Sequence, residues 1–214
     1  MSQPLAKQAY AKIIEMILAG GLKPGDVLQE AKLGEELAMS RTPVREAIKR
    51  IEAEGLAVQD GRFLKVRTLT PGEVNEIFFL RSVIEGYCAR HATAVAPAIL
   101  DGLERRVTAL MTEGPGEEDE QRRVDDDFHL TLARSTSNEM MVRTISDLRR
   151  RTCMFDHSLV PARYLKGCEE HLEIIAALRA KDGEQAGKLM SRHVLNARDA
   201  IVGRLEHNER KATR

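Results

Sequence analysis

Four side chains that commonly bind metal ions fall on apolar helix faces in the second half of the chain. Asp125 and His129 are four residues apart, so they share one face of a predicted helix, and that face also carries apolar residues. His171 and His193 lie on two later helices, each among the apolar residues of its own stripe. One carboxylate and three imidazoles are therefore predicted to point into the same core from three helices.

A divalent metal would satisfy all four of these groups at once. Buried polar groups are costly without partners, and imidazole and carboxylate ligands suit zinc, nickel, iron and manganese. The alternative is that each histidine is an ordinary core residue that hydrogen-bonds a backbone carbonyl or a nearby acid. Three inward histidines together with one aspartate favour the metal site, for which zinc is our first candidate.

A second candidate site lies on a short predicted helix within Ser40–Ile51. Its apolar residues recur at i, i+3, i+4 and i+7 and form one buried stripe, namely Val44, Ala47, Ile48 and Ile51. Arg45 and Lys49 lie off that stripe, and Arg41 stands just before the first turn. Such a helix suits the DNA major groove, where arginine can donate two hydrogen bonds to guanine. An ordinary amphipathic surface helix has the same pattern, so the surrounding elements must decide.

The composition predicts a mostly helical protein with reduced cysteines. The chain has 214 residues, of which 43% are hydrophobic and only 4% aromatic, and its formal net charge is zero. Affinity for nucleic acid must therefore come from local charge. Cys88, Cys153 and Cys168 are odd in number and show no CxxC spacing, which indicates free thiols. Because there is neither a signal peptide nor an apolar run of about 20 residues, we expect a cytoplasmic protein.

The elements around the candidate DNA helix predict a winged helix-turn-helix domain over residues 1–68. The predicted helices cover residues 5–19, 30–39 and 41–55. Thr42 is expected to be the N-cap of the third helix, with Pro43 at its first position. Two short apolar runs, at 56–59 and 63–66, flank Asp60-Gly61 and indicate a hairpin. Three helices followed by a hairpin form the winged fold, whose third helix reads DNA.

Residues 69–214 are predicted to form an all-helical bundle. Thr70 and Glu73 have the spacing of a capping box, so a long helix begins there and runs to about residue 96. Five more helices are expected over 98–111, 121–135, 138–156, 164–181 and 183–207. The acidic segment 113–120, which contains glycine and proline, is predicted to be a loop. No strand is predicted after residue 67.

The N-terminal segment resembles the DNA-binding domain of the GntR family of bacterial transcriptional regulators. The resemblance rests on Gly21-Leu22-Lys23-Pro24-Gly25, Leu28-Gln29-Glu30, Leu33, Ser40-Arg41-Thr42-Pro43-Val44-Arg45-Glu46-Ala47 and Glu54-Gly55-Leu56. It implies that Arg41 and Arg45 contact bases and that Gly61 is the tip of the wing. Two positions depart from the family pattern. Ala31 replaces an arginine found in some members, and the wing reads Gly61-Arg62-Phe63 where Gly-x-Gly is common.

The C-terminal segment resembles the FCD-type ligand-binding domain of the FadR-like branch, in the subset that binds a metal through one aspartate and three histidines. The matching residues are Asp125-x-x-Phe128-His129, Asn138, Glu170-His171 and His193. The resemblance implies that the metal ligands are Asp125, His129, His171 and His193, and that the domain senses small organic acids at the metal. It also places Arg81 at the family's effector-binding arginine, although an ion pair with Glu85, four residues later, is the alternative.

Several other residues receive structural interpretations from the sequence. Asn138 is expected to cap a helix. Tyr87, on the same helix as Arg81, is expected to pack in the core, and the alternative is that it lines the effector pocket. Leu80 and Val83 keep the same helical spacing as Tyr87. Three histidines match no motif position and are interpreted as structural or exposed: His91, His157 and His207. The run Arg149-Arg150-Arg151 is interpreted as a solvated or interface face.

Together these features predict a homodimeric transcriptional regulator with no enzymatic activity. Repression that a ligand relieves is the commoner arrangement, so a repressor is expected. Two copies of the third helix would enter adjacent major grooves of a short inverted repeat of double-stranded DNA, with Arg41 and Arg45 on bases and Lys49 and Arg50 on phosphates. The full set of predicted DNA-binding residues is Arg41, Thr42, Arg45, Lys49, Arg50 and Gly61. A small carboxylate bound at the metal and Arg81 would change operator affinity. The alternatives are a metal-dependent hydrolase with an accessory winged domain and a DNA-binding protein whose metal is purely structural.

Overall fold

The computed structural model describes residues 4–114, 118–156 and 163–212, and the chain divides into two units, Met1–Leu69 and Thr70–Arg214. The first unit contains α1 (Leu5–Leu18), α2 (Glu30–Glu36), α3 (Arg41–Ala53), β1 (Ala57–Asp60) and β2 (Phe63–Val66). The two strands pair antiparallel. Three helices followed by a two-stranded wing confirm the predicted winged helix-turn-helix.

The start of α3 differs from the prediction. Ser40, not Thr42, is the N-cap, and the helix begins at Arg41 without a hydrogen bond from a capping side chain. Pro43 is therefore the third helical residue, and it is buried. The first four N–H groups of a helix have no partner within the helix, so a proline is tolerated at this position as well as at the first.

The turn of the wing is also shifted by one residue. Asp60 pairs with Phe63, so the two residues between the strands are Gly61 and Arg62 and not the predicted Asp60-Gly61. Gly61 has a φ of +58°, a left-handed conformation that two-residue hairpin turns require at their first position and that glycine adopts without strain. Gly61 thus stands at the tip of the hairpin.

The second unit is helical throughout the part that the structure describes, which confirms the predicted bundle. Its helices are α4 (Pro71–His91), a short 3-10 helix (Ala92–Ala94), α5 (Pro97–Glu113), α6 (Glu118–Arg134), α7 (Glu139–Asp156), α8 (Arg163–Arg179) and α9 (Gly183–Ala212). The capping box of Thr70 and Glu73 is present in both directions. The first helix is shorter than predicted, since it ends at His91. Of the acidic segment predicted as a loop, residues 118–120 belong to α6, while 115–117 lie outside the described residues.

Two glycines allow the long helices α4 and α9 to pack closely. A Cβ atom on Gly187 would lie 2.9 Å from the carbonyl oxygen of Gly86 and 3.1 Å from the Cβ of Arg90. Ser191 Oγ also donates a hydrogen bond of 2.9 Å to the carbonyl of Ser82 on the facing helix. This close packing fixes the buried face of α4 against α9, and both helices carry residues of the site described below.

The outer face of α4 is apolar and exposed, which the periodicity did not predict. Its exposed residues form the α4 strip, namely Phe79, Leu80, Val83 and Tyr87, with exposed fractions of 61%, 48%, 56% and 47%. The expectation that Tyr87 packs in the core is therefore wrong, and Leu80 and Val83, which share its helical spacing, are exposed as well. Tyr87 instead stacks on His91, with ring centroids 4.1 Å apart. No helix among the described residues is long and apolar enough to span a membrane.

Candidate metal and effector site

The four side chains singled out as metal ligands meet in the second unit. Asp125 and His129 come from α6, His171 from α8 and His193 from α9, and one ligand atom of each lies within 4.8 Å of all the others. The Nε2 atoms of His171 and His193 are 3.2 Å apart. Asp125 Oδ1 lies 3.5 Å from His171 Nε2 and 3.7 Å from His129 Nε2.

This arrangement fits a divalent metal ion. With metal–ligand bonds of about 2.1 Å, neighbouring ligand atoms are roughly 3.0–3.4 Å apart, close to the separations seen here. The Nε2 atom of His129 is buried and has no hydrogen-bond partner among the described residues. A buried imidazole nitrogen without a hydrogen-bond partner makes the folded protein less stable. A metal ion bound to this nitrogen would remove that cost.

Two glutamates orient the proposed ligands from behind. Glu85 Oε2 contacts Nδ1 of His129, and Glu170 Oε2 lies 2.8 Å from Nδ1 of His193. A carboxylate on Nδ1 fixes the tautomer of an imidazole and leaves Nε2 free for a metal. The sequence showed Glu85 only as a possible partner of Arg81 and Glu170 only beside His171, so this role of both glutamates was missed.

Arg149 belongs to the site, and its interpretation as part of a solvated or interface face is wrong. Its side chain is 5% exposed, and its Nη2 contacts Asp125 Oδ2 and lies 2.8 Å from Asp126 Oδ1. Burial raises the pKa of Asp125, but Arg149 outweighs burial and holds that pKa well below its ordinary value. Asp125 therefore carries the negative charge that a metal ligand needs.

The imidazoles differ in their protonation. Burial and the neighbouring histidines lower the pKa of His171 and His193, so both rings are neutral and have a lone pair for a metal. Burial and Arg149 lower the pKa of His129, but Glu85 and Asp125 outweigh them and raise it. A metal bound at His129 would therefore displace a proton.

The two glutamates behind the ligands are ionised. Burial raises the pKa of Glu170, but hydrogen bonds from His193, Arg163 and Asn196 outweigh burial and lower it to about 2. The pKa of Glu85 is also lowered, because Arg81 and His129 outweigh the effect of burial. Both carboxylates therefore stay charged at neutral pH.

A small cavity of about 60 Å³ opens beside the proposed ligands. Its walls include the four proposed metal ligands. The other lining residues are two arginines and a mostly apolar set, namely Arg81, Arg163, Val107, Leu110, Gln121, Val124, Tyr164, Gly167, Cys168 and Ala197. Arg81 is buried, its Nε donates to Glu85 at 2.8 Å, and its Nη1 donates to Thr152 at 3.1 Å. Arg81 thus both lines the cavity and forms the ion pair with Glu85 that was predicted as the alternative.

The remaining predicted residues of the second unit have simpler surroundings. Asn138 caps α7, as predicted, because its Oδ1 accepts hydrogen bonds of 3.1 Å from the backbone N–H groups of Met140 and Met141. His91 and His207 are exposed, and His157 lies outside the described residues. Two cysteines are free and buried, and burial raises the pKa of each thiol to about 11: Cys88 and Cys168. The side chain of Cys153 lies outside the described part of the chain.

The residues predicted to bind DNA are exposed in the first unit. Five lie on α3, namely Arg41, Thr42, Arg45, Lys49 and Arg50, and Gly61 lies at the tip of the wing. Arg50 forms an ion pair of 2.9 Å with Glu54 and stacks over the ring of Tyr10 at 4.0 Å. Its guanidinium is therefore partly engaged within the unit.

A winged helix-turn-helix followed by a helical unit with a buried polar site is the architecture of bacterial transcriptional regulators. Residues 5–62 match the family described as bacterial regulatory proteins, gntR family, and residues 76–196 match the FCD domain. The chain belongs to the GntR family of regulators and carries an FCD domain. It is a helix-turn-helix transcriptional regulator of this type.

Relatives that match almost the whole chain are regulators as well. The chain is 30% identical to the HTH-type transcriptional regulator LutR of Bacillus subtilis, over 90% of this chain and 99% of LutR. It is 26% identical to the HTH-type transcriptional repressor RspR of Escherichia coli, over 94% of this chain and 90% of RspR. Among solved structures, E. coli McbR/YncC is similar with a TM-score of 0.77 and 25% identity, covering 91% of this chain and 95% of McbR/YncC.

Proposed function

We propose that this regulator is a repressor whose affinity for its operator is controlled by a small carboxylate bound at a divalent metal in the second unit. The observation that carries the proposal is the cavity that opens directly onto the four proposed ligands, Asp125, His129, His171 and His193. A six-coordinate ion held by four protein ligands keeps two positions for a ligand carboxylate. The metal docks and orients the acid and need not take part in a reaction.

The charges around the cavity support an anionic effector. Three arginines with little exposure, together with His129, whose pKa is raised, lie among four carboxylates, so the charges balance before a metal binds: Arg81, Arg149 and Arg163 with Glu85, Asp125, Asp126 and Glu170. A divalent ion that displaces the proton of His129 then leaves one extra positive charge in a region that excludes most water. Such an excess of charge is costly unless an anion enters with the ion or after it. We propose that Arg81, on the cavity wall, contributes to holding this anion.

The hydrolase alternative receives no support from the site. A metallohydrolase needs a general base or acid near the metal-bound water. Glu170 stands beside His171 in the sequence, but it already accepts hydrogen bonds from His193, Arg163 and Asn196. Both of its oxygens are engaged, which suits a residue that orients His193.

The carboxylate proposal is tested by a thermal-shift screen of the purified protein against mono- and dicarboxylates and sugar acids, with and without a metal chelator. An acid that binds only the folded protein should raise the melting temperature by several degrees at saturating concentration. The rise should vanish on chelation if the metal is the docking point. If no acid produces a shift although metal is bound, the metal is structural and the effector part of the proposal is wrong.

On the DNA side, we propose that Arg41 and Arg45 read base edges while Lys49 and Arg50 contact phosphates. Arg45→Ala is expected to cost about 1–3 kcal/mol of binding free energy at one base position and to relax specificity there. The check is a binding assay with operator variants at each position, and Lys49→Ala is the matched control. Lys49→Ala should weaken all sequences alike and lower the salt dependence of binding. If Arg45→Ala weakens binding to all operator variants equally, Arg45 does not contact a base.

We propose that the protein acts as a homodimer and that the α4 strip is its dimer surface. Four large apolar side chains on one exposed helix face are unusual for a monomer, and a second copy would cover them with an identical face. Val83→Glu is therefore expected to lower the mass in light scattering from about twice 23.9 kDa towards 23.9 kDa. Ile99→Glu, at an exposed apolar residue of α5, is the control and should leave the mass unchanged. A dimer that persists in Val83→Glu would refute this surface.

A further inference from the structure

The cavity beside the proposed metal ligands contains an arginine whose hydrogen-bond donors are only partly used. Arg163, the first residue of α8, lines the cavity, and its side chain is 13% exposed. Its Nη2 donates to Glu170 and, at 3.3 Å, to the backbone carbonyl of His193. Its Nε and Nη1 are buried, and neither has a hydrogen-bond partner among the described residues. Buried donors without partners are costly, so these two groups are suited to an anion that enters the cavity.

Arg163 differs in this respect from Arg81, the arginine that the family resemblance singled out. Arg81 is held between Glu85 and Thr152, and its guanidinium lies 4.7 Å from the centre of the Phe78 ring. Arg81 can add positive charge to the cavity wall, but its Nε and Nη1 groups are already engaged with Glu85 and Thr152. An acid at Arg163 would instead meet two donors, Nε and Nη1, that have no hydrogen-bond partner in the described part of the chain.

The carboxylate of Glu170 connects Arg163 to His193, one of the proposed metal ligands. Glu170 Oε2 accepts from Arg163 and lies 2.8 Å from Nδ1 of His193, whose Nε2 faces the other ligands. One short molecule could therefore reach both the metal and Arg163. The cavity, with a volume of about 60 Å³, suits a short chain.

We propose that Arg163 binds a second carboxylate of the effector, so that the effector is a short dicarboxylate with one end at the metal and the other on Arg163. The proposal rests on the proposed function, because it assumes that an acid binds at the metal. Arginine is the side chain best suited to bind a carboxylate through more than one N–H group.

The test is calorimetric titration of the full-length protein loaded with Zn²⁺, using acids matched in chain length. Malonate, succinate and glutarate are compared with propionate, butyrate and valerate. In at least one pair the wild type should bind the dicarboxylate about 10-fold or more tightly than its partner acid. Arg163→Gln should bring this ratio close to one, and Arg163→Lys, which keeps the charge, should lower it by less.

Lys166→Gln is the matched control, since Lys166 lies on the same helix, loses the same charge and is exposed, with an ion pair to Glu169 at 2.9 Å. It should leave the ratio unchanged. Because the ratio compares two acids in one variant, a general effect of the substitution on zinc affinity cancels. A ratio near one in wild type for every pair, or an unchanged ratio in Arg163→Gln, would overturn the role of Arg163. If no acid of either kind binds the wild type, the proposed function itself is wrong.

Discussion

Replacing His171 with alanine is expected to weaken the binding of a divalent metal by more than about 100-fold, because it removes one of the four proposed ligands and loss of an outer partner alone commonly costs 10- to 100-fold. His171 Nε2 lies 3.2 Å from His193 Nε2 and 3.5 Å from Asp125 Oδ1, at the centre of the cluster. The effector response should disappear with the metal. Metal content after dialysis, measured by elemental analysis, and the metal-induced rise in melting temperature are the two readouts.

Two further variants are expected to have smaller or no effects on metal affinity. Glu170→Gln removes the carboxylate that faces Nδ1 of His193 but keeps all four proposed ligands, so metal affinity should fall by about 10- to 100-fold. His91→Ala removes an exposed imidazole outside the cluster and should leave metal binding unchanged. Circular dichroism checks that each variant is folded. Wild-type metal content in His171→Ala would mean that these residues do not form the site.

Features that depend on neighbouring residues in the sequence were predicted well. The capping box of Thr70 and Glu73 and the cap at Asn138 are set by hydrogen bonds within three residues, and both are present. The separation of Asp125 and His129 by four residues places them on one helix face whatever the helix packs against. The N-cap of α3 was placed two residues late, because a proline suits any of the first helical positions and Thr42-Pro43 alone does not select one.

Features that depend on packing between helices were not predictable in the same way. Arg149 stands in a run of three arginines, and only the packing of α7 against α6 brings it to Asp125 and Asp126. The apolar spacing of α4 was taken as one buried face, whereas the helix is apolar on two faces and only one meets the core. Hydrophobic periodicity shows that a face is apolar, and it does not show whether that face meets the same chain or another copy.

Arg149→Met is expected to destabilise the metal-free protein by about 3–5 kcal/mol, because it leaves buried carboxylate charge without its partner. Arg149 is the nearest cation to Asp125 and also lies 4.0 Å from Glu85 Oε2. Methionine keeps much of the volume, so the loss reports charge more than packing. Urea unfolding followed by circular dichroism, in the presence of a chelator, gives the free energy of unfolding.

The same measurement with Zn²⁺ connects this effect to the proposed site. A bound ion would itself face Asp125 and replace part of the charge that Arg149 supplies, so the destabilisation should be clearly smaller in metal-loaded protein. Arg179→Met is the control, since Arg179 forms exposed ion pairs with Asp101 and Glu104 and should cost at most about 1 kcal/mol, with or without zinc. Equal losses for Arg149→Met and Arg179→Met would show that the buried pair contributes little to stability. An Arg149→Met loss that zinc leaves unchanged would argue against a metal bound at Asp125.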